Sequence, residues 1–251
     1  MIITSKSNPK VKETASLKDK KFRKKCKKYV VEGFKMVNEA VLQNKKIDCI
    51  IGTEEGLTRV NTADYPVVTV SESIFKFISD AVTPQGVLAV LYEDELPLKS
   101  PEKPCILLDR LQDPGNLGTI IRTACAVGVK DVYLLDCCDP YSPKAVRSSM
   151  SGIFSVNLYS VSNSDLEKIF NGVPLIVADM DGENVFDFNP PKNWCLVVGN
   201  EANGVSDQVK NLASHVVKIP MSKNSESLNA GVSLAITLYE LTEGKGNSLI
   251  G

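Results

Sequence analysis

The sequence predicts an α/β protein of 251 residues in which helices cover both faces of a parallel sheet. Two observations support this prediction: short, fully apolar runs alternate with stretches of helical periodicity, and the alternation restarts after a proline-rich segment. That segment, 93–104, contains three prolines and few apolar residues, as linkers do. We therefore predict a small α/β domain over 1–92, a linker over 93–104, a larger domain over 105–245 and a flexible tail over 246–251.

In both domains, β-branched apolar runs predict strands, and apolar residues at helical spacing predict helices. In the small domain the predicted strands cover 29–31, 47–51, 67–70 and 86–91, and the predicted helices cover 34–43 and 73–81. In the larger domain the predicted strands cover 105–108, 132–135, 156–159, 175–178, 195–198 and 216–219. The helices there cover 117–127, 143–150, 165–170 and 228–241. Because the strands of the larger domain are apolar throughout, we expect them to be parallel and buried.

The formal net charge of −1 conceals an uneven distribution of charge along the chain. Residues 1–50 carry 14 Lys and Arg against 5 Asp and Glu, a balance of +9, whereas the remainder carries a balance of −10. The dense basic run in this region has two interpretations: a solvated, mobile segment, or a surface that contacts phosphates and releases counterions. The candidate phosphate contacts in the run are Lys21, Arg23, Lys24, Lys25, Lys27 and Lys28.

Seven cysteines without a C-x-x-C spacing and a single histidine offer few ligands to a metal, so we predict no metal site. Most of the cysteines lie in apolar runs, which favours buried, reduced thiols and a cytoplasmic location. His215 lies at a predicted strand end, and we assign it no catalytic role. No apolar run reaches the roughly 18 residues of a membrane span, and the N-terminus lacks the pattern of a secretory signal, so we expect no membrane partner.

Three polar loops follow apolar strands, at the edge of an open α/β sheet where ligands bind. The first loop, 109–122, contains turn formers and then Asn116 as the expected N-cap of a helix that carries Arg122. Asn116 and Arg122 recur on overlapping helical faces, which would direct Arg122 towards the end of the preceding strand. An ordinary strand–turn–helix with a surface arginine explains this loop equally well.

The second loop, 198–205, surrounds Glu201 with two glycines and two asparagines, a composition suited to a tight turn around one carboxylate. The third loop, 219–233, runs into a helix that starts with small residues, and Ser227 is a possible cap of that helix. The glycine signatures of dinucleotide and P-loop sites are absent from the sequence. Together the three loops predict a polar pocket for an amphipathic cofactor and a substrate with a hydroxyl or phosphate group.

These loops resemble the three motifs of the SpoU-type (TrmH-like) RNA 2′-O-ribose methyltransferases of the SPOUT superfamily. The first is similar to D-P-x-N-x-G-x-x-x-R at 113–122, the second to G-N-E-x-x-G at 199–204, and the third to I-P-M…E-S-L-N at 219–229. The resemblance covers 105–243. More loosely, residues 1–95, with Val31-Glu32-Gly33, resemble the small ribosomal-protein-like, substrate-binding α/β domain that precedes many of these enzymes.

The resemblance implies a SPOUT-type α/β domain whose C-terminal segment forms a trefoil knot, although connectivity rules alone favour an unknotted sheet. It implies S-adenosyl-L-methionine as the cofactor, bound by residues around Gly199, Ile219, Met221 and Leu228. It also implies a homodimer in which Arg122 of one subunit completes the site of the other. The implied catalytic residues are Arg122, Asn116, Glu201, Ser227 and Asn229, and the further RNA contacts are Lys144 and Arg147.

The leading hypothesis is therefore methylation of a ribose 2′-hydroxyl in RNA. Ribosomal RNA of the 23S type is favoured over transfer RNA because the N-terminal region resembles the domain of enzymes that act on ribosomal RNA. Because arginine stays protonated in proteins, we expect Arg122 to stabilise the alkoxide or anchor a phosphate rather than remove the proton. Two alternatives stay open: a non-catalytic RNA-binding or ribosome-assembly protein that retains the fold, and a nucleotide-binding oxidoreductase.

Overall fold

The computed structural model describes residues 1–62, 64–224, 227–244 and 249, so the predicted tail at 246–251 lies outside the described residues except for Leu249. Contacts divide the chain into an N-terminal unit, Met1–Glu95 with Asp139–Phe154, and a C-terminal unit, Leu96–Cys138 with Ser155–Gly251. The predicted boundaries had assigned 139–154 to the larger domain. This segment groups with the N-terminal unit because Asp139 pairs with Arg23 and the ring of Tyr141 packs against that of Tyr29.

The first part of the chain forms α1 (Pro9–Ser16), α2 (Lys20–Cys26), β1 (Lys28–Glu32), α3 (Phe34–Leu42), β2 (Ile47–Gly52), α4 (Glu54–Leu57), β3 (Val67–Thr69), α5 (Glu72–Ile78) and β4 (Val87–Tyr92). The chain continues with β5 (Cys105–Asp109), α6 (Pro114–Val127), β6 (Asp131–Leu135), α7 (Pro143–Ser149), β7 (Asn157–Val161) and α8 (Leu166–Ile169). It ends with β8 (Leu175–Asn184), β9 (Cys195–Val198), α9 (Asp207–Lys210), β10 (Ala213–Lys218), α10 (Ala230–Tyr239) and a π-helical turn (Glu240–Gly244). A 3₁₀ turn follows α7 (Met150–Phe154), and another precedes α8 (Asn163–Asp165).

The sheet of the N-terminal unit has the strand order β1-β4-β2-β3. Strand β4 lies antiparallel to both β1 and β2, whereas β2 and β3 are parallel. Because β4 is an inner strand, its residues from Val87 to Leu91 are fully buried. Helices α1 and α5 bury Val11, Ile74 and Phe75 in the core of this unit.

Helices α1 and α2 were not predicted, and α2 coincides with the basic run. Each helix has a side-chain cap: the Asn8 carboxamide accepts from the Lys10 backbone N–H at 2.9 Å, and the Asp19 carboxylate accepts from the Lys21 N–H at 2.6 Å. The helices are only 8 and 7 residues long, too short to show a clear apolar periodicity. The caps at Asn8 and Asp19 were the available signal.

The sheet of the C-terminal unit has the order β10-β8-β9-β5-β6-β7, and all its described pairings are parallel, as predicted. Residues such as Leu107, Tyr133, Val177 and Val197 fill its core. Strands β5 and β9 are neighbours, so the loops that follow them leave the sheet side by side. The order of strands does not test the threading of the chain, and the knot stays a prediction.

Three details differ from expectation. Helix α6 begins at Pro114, and its N-cap is Asp113, whose carboxylate accepts from the Asn116 backbone N–H at 2.8 Å. The prediction of Asn116 as the N-cap was therefore wrong, since proline already occupies the first helical position. Asn229, not Ser227, caps α10. His215 lies within β10 rather than at its end, with its ring 5.0 Å from that of Phe188.

Among the described helices, none has the length and apolar character needed to cross a bilayer.

Candidate active site

The loops after β5 and β9 are joined to each other by several hydrogen bonds. The Asn200 carboxamide donates to the Arg110 carbonyl at 2.9 Å, and the Arg110 guanidinium donates to the Gly204 carbonyl at 3.4 Å. The fully buried Asp109 carboxylate accepts from the Ser206 N–H at 2.5 Å and from the Arg110 Nε at 3.1 Å. These bonds hold two separate stretches of sequence as one polar surface at the carboxyl edge of the sheet.

The Glu201 carboxylate bridges the two loops. It accepts from the backbone N–H groups of Gln112 and Asp113, at 3.3 and 3.1 Å, and from the Asn116 side-chain amide at 3.1 Å. Burial alone would raise the pKa of this carboxyl, but the bonds from Asn116 and from the backbone N–H groups lower it below its usual 4.5. Glu201 is therefore ionised at neutral pH and acts as an acceptor only.

Asn229 extends this network to the third loop. Its Nδ2 donates to Asn116 Oδ1 at 2.8 Å, while its own Oδ1 accepts from the Gly231 and Val232 N–H groups at the start of α10. Three residues that the sequence singled out, Glu201, Asn116 and Asn229, are thus connected in one line across all three loops. The predicted convergence of the loops is found in the structure.

Arg122 lies outside this line. Six residues advance an α-helix by about 600°, so Arg122 is displaced by roughly 120° around α6 from Asn116. Its side chain is exposed, and the structure gives it no hydrogen bond or ion pair with any residue that it describes. The expectation that Arg122 turns towards the end of its own preceding strand is not supported within one chain.

Gly199 shapes the second loop. Asn200 and Gly204 exchange two backbone hydrogen bonds, at 3.0 and 2.9 Å, and form a tight turn with Gly204 at φ +63°. A Cβ on Gly199 would lie 2.2 Å from the Gly204 carbonyl carbon. The buried position of Gly199 therefore tolerates no side chain.

A cavity of about 110 Å³ opens beside the third loop. Four predicted residues line it: Ile219, Met221, Ser227 and Leu228. The wall combines apolar side chains with the polar residues Asp179, Lys218, Ser227, Ser233 and Thr237, which suits an amphipathic ligand. At about 110 Å³ the cavity is smaller than the roughly 300 Å³ that is usual for a whole ligand site, and Gly199 is not part of its lining.

The basic residues of the N-terminal unit divide into two groups. Lys21, Lys24 and Lys25 are exposed on α2, and Lys27 is exposed with Glu93 at 4.0 Å. Arg23, in contrast, is buried: its guanidinium donates twice to Asp139, at 2.9 and 2.7 Å, and Nη1 donates to two backbone carbonyls. The prediction of Arg23 as a phosphate contact does not fit this structure, because its guanidinium is buried and paired with Asp139.

Lys28 is also engaged within the fold. Its ammonium group lies 2.8 Å from the Glu13 carboxylate and 3.1 Å from that of Asp48. Burial alone would lower the pKa of Lys28, but the bonds to these two carboxylates raise it overall. Lys28 is therefore paired with two carboxylates of its own unit, and the predicted phosphate contact does not fit this arrangement. In α7, Lys144 and Arg147 are exposed, and Arg147 pairs with Asp80 at 3.0 Å.

Sequence reasoning missed Arg110 and Gln112 as parts of the site. Arg110 has φ +59°, a left-handed conformation that is uncommon for a residue with a side chain and that occurs often at functional loops. Gln112 contributes its backbone N–H to Glu201, and its side chain donates to the Asp136 carbonyl at 2.9 Å. The position of both residues in the first loop was the available signal. Within the described ranges, no group of three or more Asp, Glu, His and Cys side chains is arranged to hold a metal.

Comparisons with known proteins agree with this geometry. Residues 103–239 match the SpoU rRNA Methylase family, and residues 8–89 match a family described as the MRM3-like substrate binding domain. The chain is 32% identical to the 23S rRNA (guanosine(2553)-2′-O)-methyltransferase RlmP of Bacillus subtilis, over 95% of this chain and 98% of the relative. It is 26% identical to rRNA methyltransferase 3, mitochondrial, of Mus musculus, over 89% of this chain and 69% of that protein.

The fold has a close counterpart among solved structures. The AdoMet-bound rRNA methyltransferase from Sinorhizobium meliloti superposes with a TM-score of 0.87 and 27% identity, over 97% of this chain and 98% of that one. The likeness therefore extends over both units, and the family match covers more than half of the chain, including all three loops of the site. This chain belongs to the SpoU rRNA methylase family.

Proposed function

We propose that this SpoU-family protein transfers a methyl group from S-adenosylmethionine to a ribose 2′-hydroxyl of ribosomal RNA. The observation that carries the proposal is the line of hydrogen bonds from Glu201 through Asn116 to Asn229, which joins the three motif loops. The relative in Bacillus subtilis, by its name, methylates a 2′-hydroxyl of 23S rRNA, and its length is almost fully covered by this chain. The name of the mouse relative also specifies rRNA.

The residues present fit the cofactor. Ile219, Met221 and Leu228 supply an apolar wall, and the turn at Gly199 offers backbone groups without a side chain in the way. When bound, S-adenosylmethionine supplies an electrophilic methyl group on a sulfonium sulfur. We assign Ile219, Met221, Leu228 and Gly199 to its binding.

The protein's contribution to the reaction is mainly positional. Holding a hydroxyl in line with the group that it attacks removes much of the entropic part of the barrier. In our proposal Ser227 and the amides of Asn116 and Asn229 orient the ribose, and Glu201 fixes the Asn116 amide. As the hydroxyl passes its proton to solvent water, a guanidinium stabilises the developing alkoxide or anchors the neighbouring phosphate, since arginine itself stays protonated and cannot accept the proton.

We assign that guanidinium to Arg122 and infer a homodimer. Arg122 is exposed and has no partner among the described residues of its own chain, and it lies about a third of a turn away from the Asn116 side of α6. A second copy of the chain would bring its Arg122 to the Glu201–Asn116–Asn229 line. The apolar residues Val232 and Tyr239, which are exposed on α10, support a covered surface in this region.

RNA contacts in the proposal come from the exposed Lys21, Lys24, Lys25 and Lys27 and from Lys144 and Arg147, without Arg23 and Lys28. Each lysine that neutralises a phosphate releases counterions, so the affinity should fall steeply with salt. All seven cysteines are free thiols, which accords with a reducing compartment such as the cytoplasm.

The test measures transfer of label from S-[methyl-³H]adenosylmethionine to protein-free ribosomal RNA and, in parallel, to transfer RNA. We expect Arg122→Ala to abolish transfer to ribosomal RNA while calorimetry shows nearly unchanged cofactor binding. Lys130→Ala is the matched control, because Lys130 is equally exposed but precedes β6, at the opposite edge of the sheet. Undiminished transfer by Arg122→Ala would refute the assignment.

Mapping of ribose methylation identifies the target. Total RNA from wild-type and deletion cells should differ by the loss of one 2′-O-methyl signal in ribosomal RNA. A lost signal in transfer RNA would move the substrate to that class. Cofactor binding without any lost signal would indicate a non-catalytic RNA-binding protein that retains the fold.

A further inference from the structure

A second cavity, of about 420 Å³, lies wholly within the N-terminal unit and is not used by the proposed methyl-transfer site. Four stretches of chain form its wall: 14–18, 30–36, 78–85 and 141–150. Its volume falls in the range of roughly 300–1,000 Å³ that is usual for ligand sites. The last of the four stretches is the segment that joins this unit from the middle of the chain.

The wall of the cavity is largely apolar. Val30, Ile78 and Val146 contribute aliphatic surface, and the rings of Phe34 and Tyr141 contribute aromatic surface. The Tyr141 ring is itself held by that of Tyr29, with centroids 4.7 Å apart. The Phe34 ring carries the Arg59 guanidinium, 4.0 Å from the ring centroid, so only its other face is available to a ligand. Aromatic and aliphatic side chains together suit a flat, apolar ligand that can stack.

One polar group on the wall has an unused hydrogen-bond donor. The Gln85 side-chain carbonyl accepts from the Phe34 N–H at 3.3 Å, which fixes the orientation of the amide. Gly33 permits this arrangement, because a Cβ there would lie 2.8 Å from Gln85 Oε1. The Gln85 Nε2 donors have no partner among the residues that the structure describes. The Glu32 carboxylate on the same wall is occupied by Ser79 and the Asp80 N–H.

The rim of the cavity carries more positive than negative charge. Its lining includes the cations Lys18, Lys35 and Arg147 and the anions Glu32 and Asp80. Arg147 pairs with Asp80, and the Lys18 ammonium donates to the carbonyls of Phe77 and Ser79. Lys35 is exposed and has no ion-pair partner among the described residues. A ligand with an anionic backbone therefore finds charge complementarity around an apolar, stacking interior. This combination matches a nucleotide whose base enters the cavity while its phosphates stay at the rim.

We propose that this cavity binds one unstacked nucleobase of the RNA substrate. The proposal rests on the proposed function for the identity of the RNA, and it adds a recognition site separate from the point of methyl transfer. Proteins commonly recognise RNA through bases that are splayed out of a helix, stacked on aromatic side chains and hydrogen-bonded at their edges. Phe34 and Tyr141 supply the stacking surface, and the Gln85 amide supplies a donor to a base carbonyl or ring nitrogen.

Met150 provides a second observation at the same place. It has φ +50° and ψ −145°, a backbone conformation that glycine adopts much more readily than methionine, and its side chain is 41% exposed. This strained residue lies on the cavity wall directly after α7. An exposed methionine in such a position offers an adaptable apolar surface to a ligand.

The experiment compares RNA probes with and without bases. The probes are fluorescently labelled oligomers of about 12 nucleotides, made of U, A or C, and a ribose-phosphate oligomer of the same length that lacks bases. Fluorescence anisotropy gives their affinities for the full chain over a range of salt. Wild-type protein should bind at least one base-containing probe about tenfold more tightly than the probe without bases, a difference typical of stacking one base.

Ala81→Phe fills the cavity, and Val82→Phe is its matched control, because Ala81 lines the wall whereas its neighbour Val82 is fully exposed. Ala81→Phe should remove the tenfold difference between probes and leave the salt dependence unchanged. Val82→Phe should retain both. If Ala81→Phe unfolds, Met150→Gly serves instead: glycine tolerates this backbone conformation, so the variant should fold while the difference between probes falls.

The outcomes separate this proposal from the proposed function. Retention of the full tenfold difference in folded Ala81→Phe and Met150→Gly would overturn the cavity proposal, as would equal wild-type affinity for all probes. Calorimetric binding of S-adenosylmethionine and methylation by the wild-type chain report on the active site alone. Methylation with no base-dependent binding would therefore refute only the cavity proposal.

Discussion

The buried ion pair between Arg23 and Asp139 should contribute strongly to the attachment of the segment 139–154 to the N-terminal unit. The two side chains are only 4% and 10% exposed, and the Asp139 carboxylate serves two partners. One oxygen accepts both donors of Arg23, and the other accepts from the Tyr141 N–H at 2.9 Å. Asp139→Asn keeps the shape of the side chain but leaves a single acceptor oxygen for these two partners.

The expected loss follows from these contacts. Removing one partner of a buried ion pair costs roughly 3–5 kcal/mol, because the other charge stays buried and uncompensated. Arg23 keeps its bonds to the carbonyls of Leu17 and Lys18, at 2.6 and 2.8 Å, so we expect the lower end, about 3 kcal/mol. A unit of about 110 residues has an unfolding entropy of about 0.23 kcal/mol/K, so its Tm should fall by about 13 °C.

Differential scanning calorimetry measures this fall, and hydrogen exchange read by mass spectrometry shows whether 139–154 loses protection. Asp80→Asn is the matched control. It breaks another Arg–Asp pair of the same segment, with Arg147 at 3.0 Å, but these side chains are 55% and 41% exposed. An exposed pair is worth at most about 1 kcal/mol. Equal changes in Tm for the two variants would refute the reasoning that burial sets the cost.

Three further predictions concern acid stability and the active site. Hydrogen bonds from Lys10, Tyr92 and Lys28 outweigh burial and lower the pKa of Asp48 from 3.8 to about 2. The ionised Asp48 carboxylate therefore stabilises the folded state by about 1 kcal/mol after screening, fully above pH 4 and progressively less as the pH falls towards 2. Urea titrations at several pH values should show this loss of stability, and Asp48→Asn should abolish the pH dependence. Gly199→Ala should weaken S-adenosylmethionine binding at least tenfold by calorimetry, because the added Cβ meets the Gly204 backbone. Glu201→Gln should lower the methylation rate roughly tenfold or more at unchanged cofactor affinity, since one of its three donors must lose its acceptor.

Each of these predictions has an outcome that contradicts it. An Asp48→Asn variant with the same dependence of stability on pH would assign the acid sensitivity to other carboxyls. Normal cofactor binding by Gly199→Ala would mean that the second loop adjusts without cost. A weakened cofactor affinity in Glu201→Gln, with no fall in rate, would place Glu201 at the cofactor rather than at the ribose.

The larger domain was predictable because its strands are apolar throughout and its loops carry unusual residues. All six of its strands were expected, and so was the meeting of Glu201, Asn116 and Asn229. The cap of α6 was misassigned because Asp113 and Asn116 are both good N-cap residues, and the proline between them decided in favour of Asp113.

The role of the basic run was harder to predict because burial depends on distant partners. Nothing local distinguishes Arg23 from its lysine neighbours, and its partner Asp139 is 116 residues away in the sequence. The cavity of the N-terminal unit was equally hard to predict, because its wall combines residues 30–36 with residues 141–150, which are distant in the sequence. Long-range contacts of this kind leave no periodicity in a single sequence.

The line of side-chain amides in the active site has a direction. Asn229 receives hydrogen bonds from the start of α10 and donates to Asn116, which in turn donates to the Glu201 carboxylate. Each asparagine uses its oxygen on one side and its nitrogen on the other, so neither amide can flip without breaking bonds at both ends. Aspartate has nearly the same shape but cannot donate, and at either position it would turn one link into two facing acceptors. The hydrogen bonds that join two methyltransferase loops and the start of a helix therefore depend on side-chain amides, which a carboxylate of the same shape cannot replace.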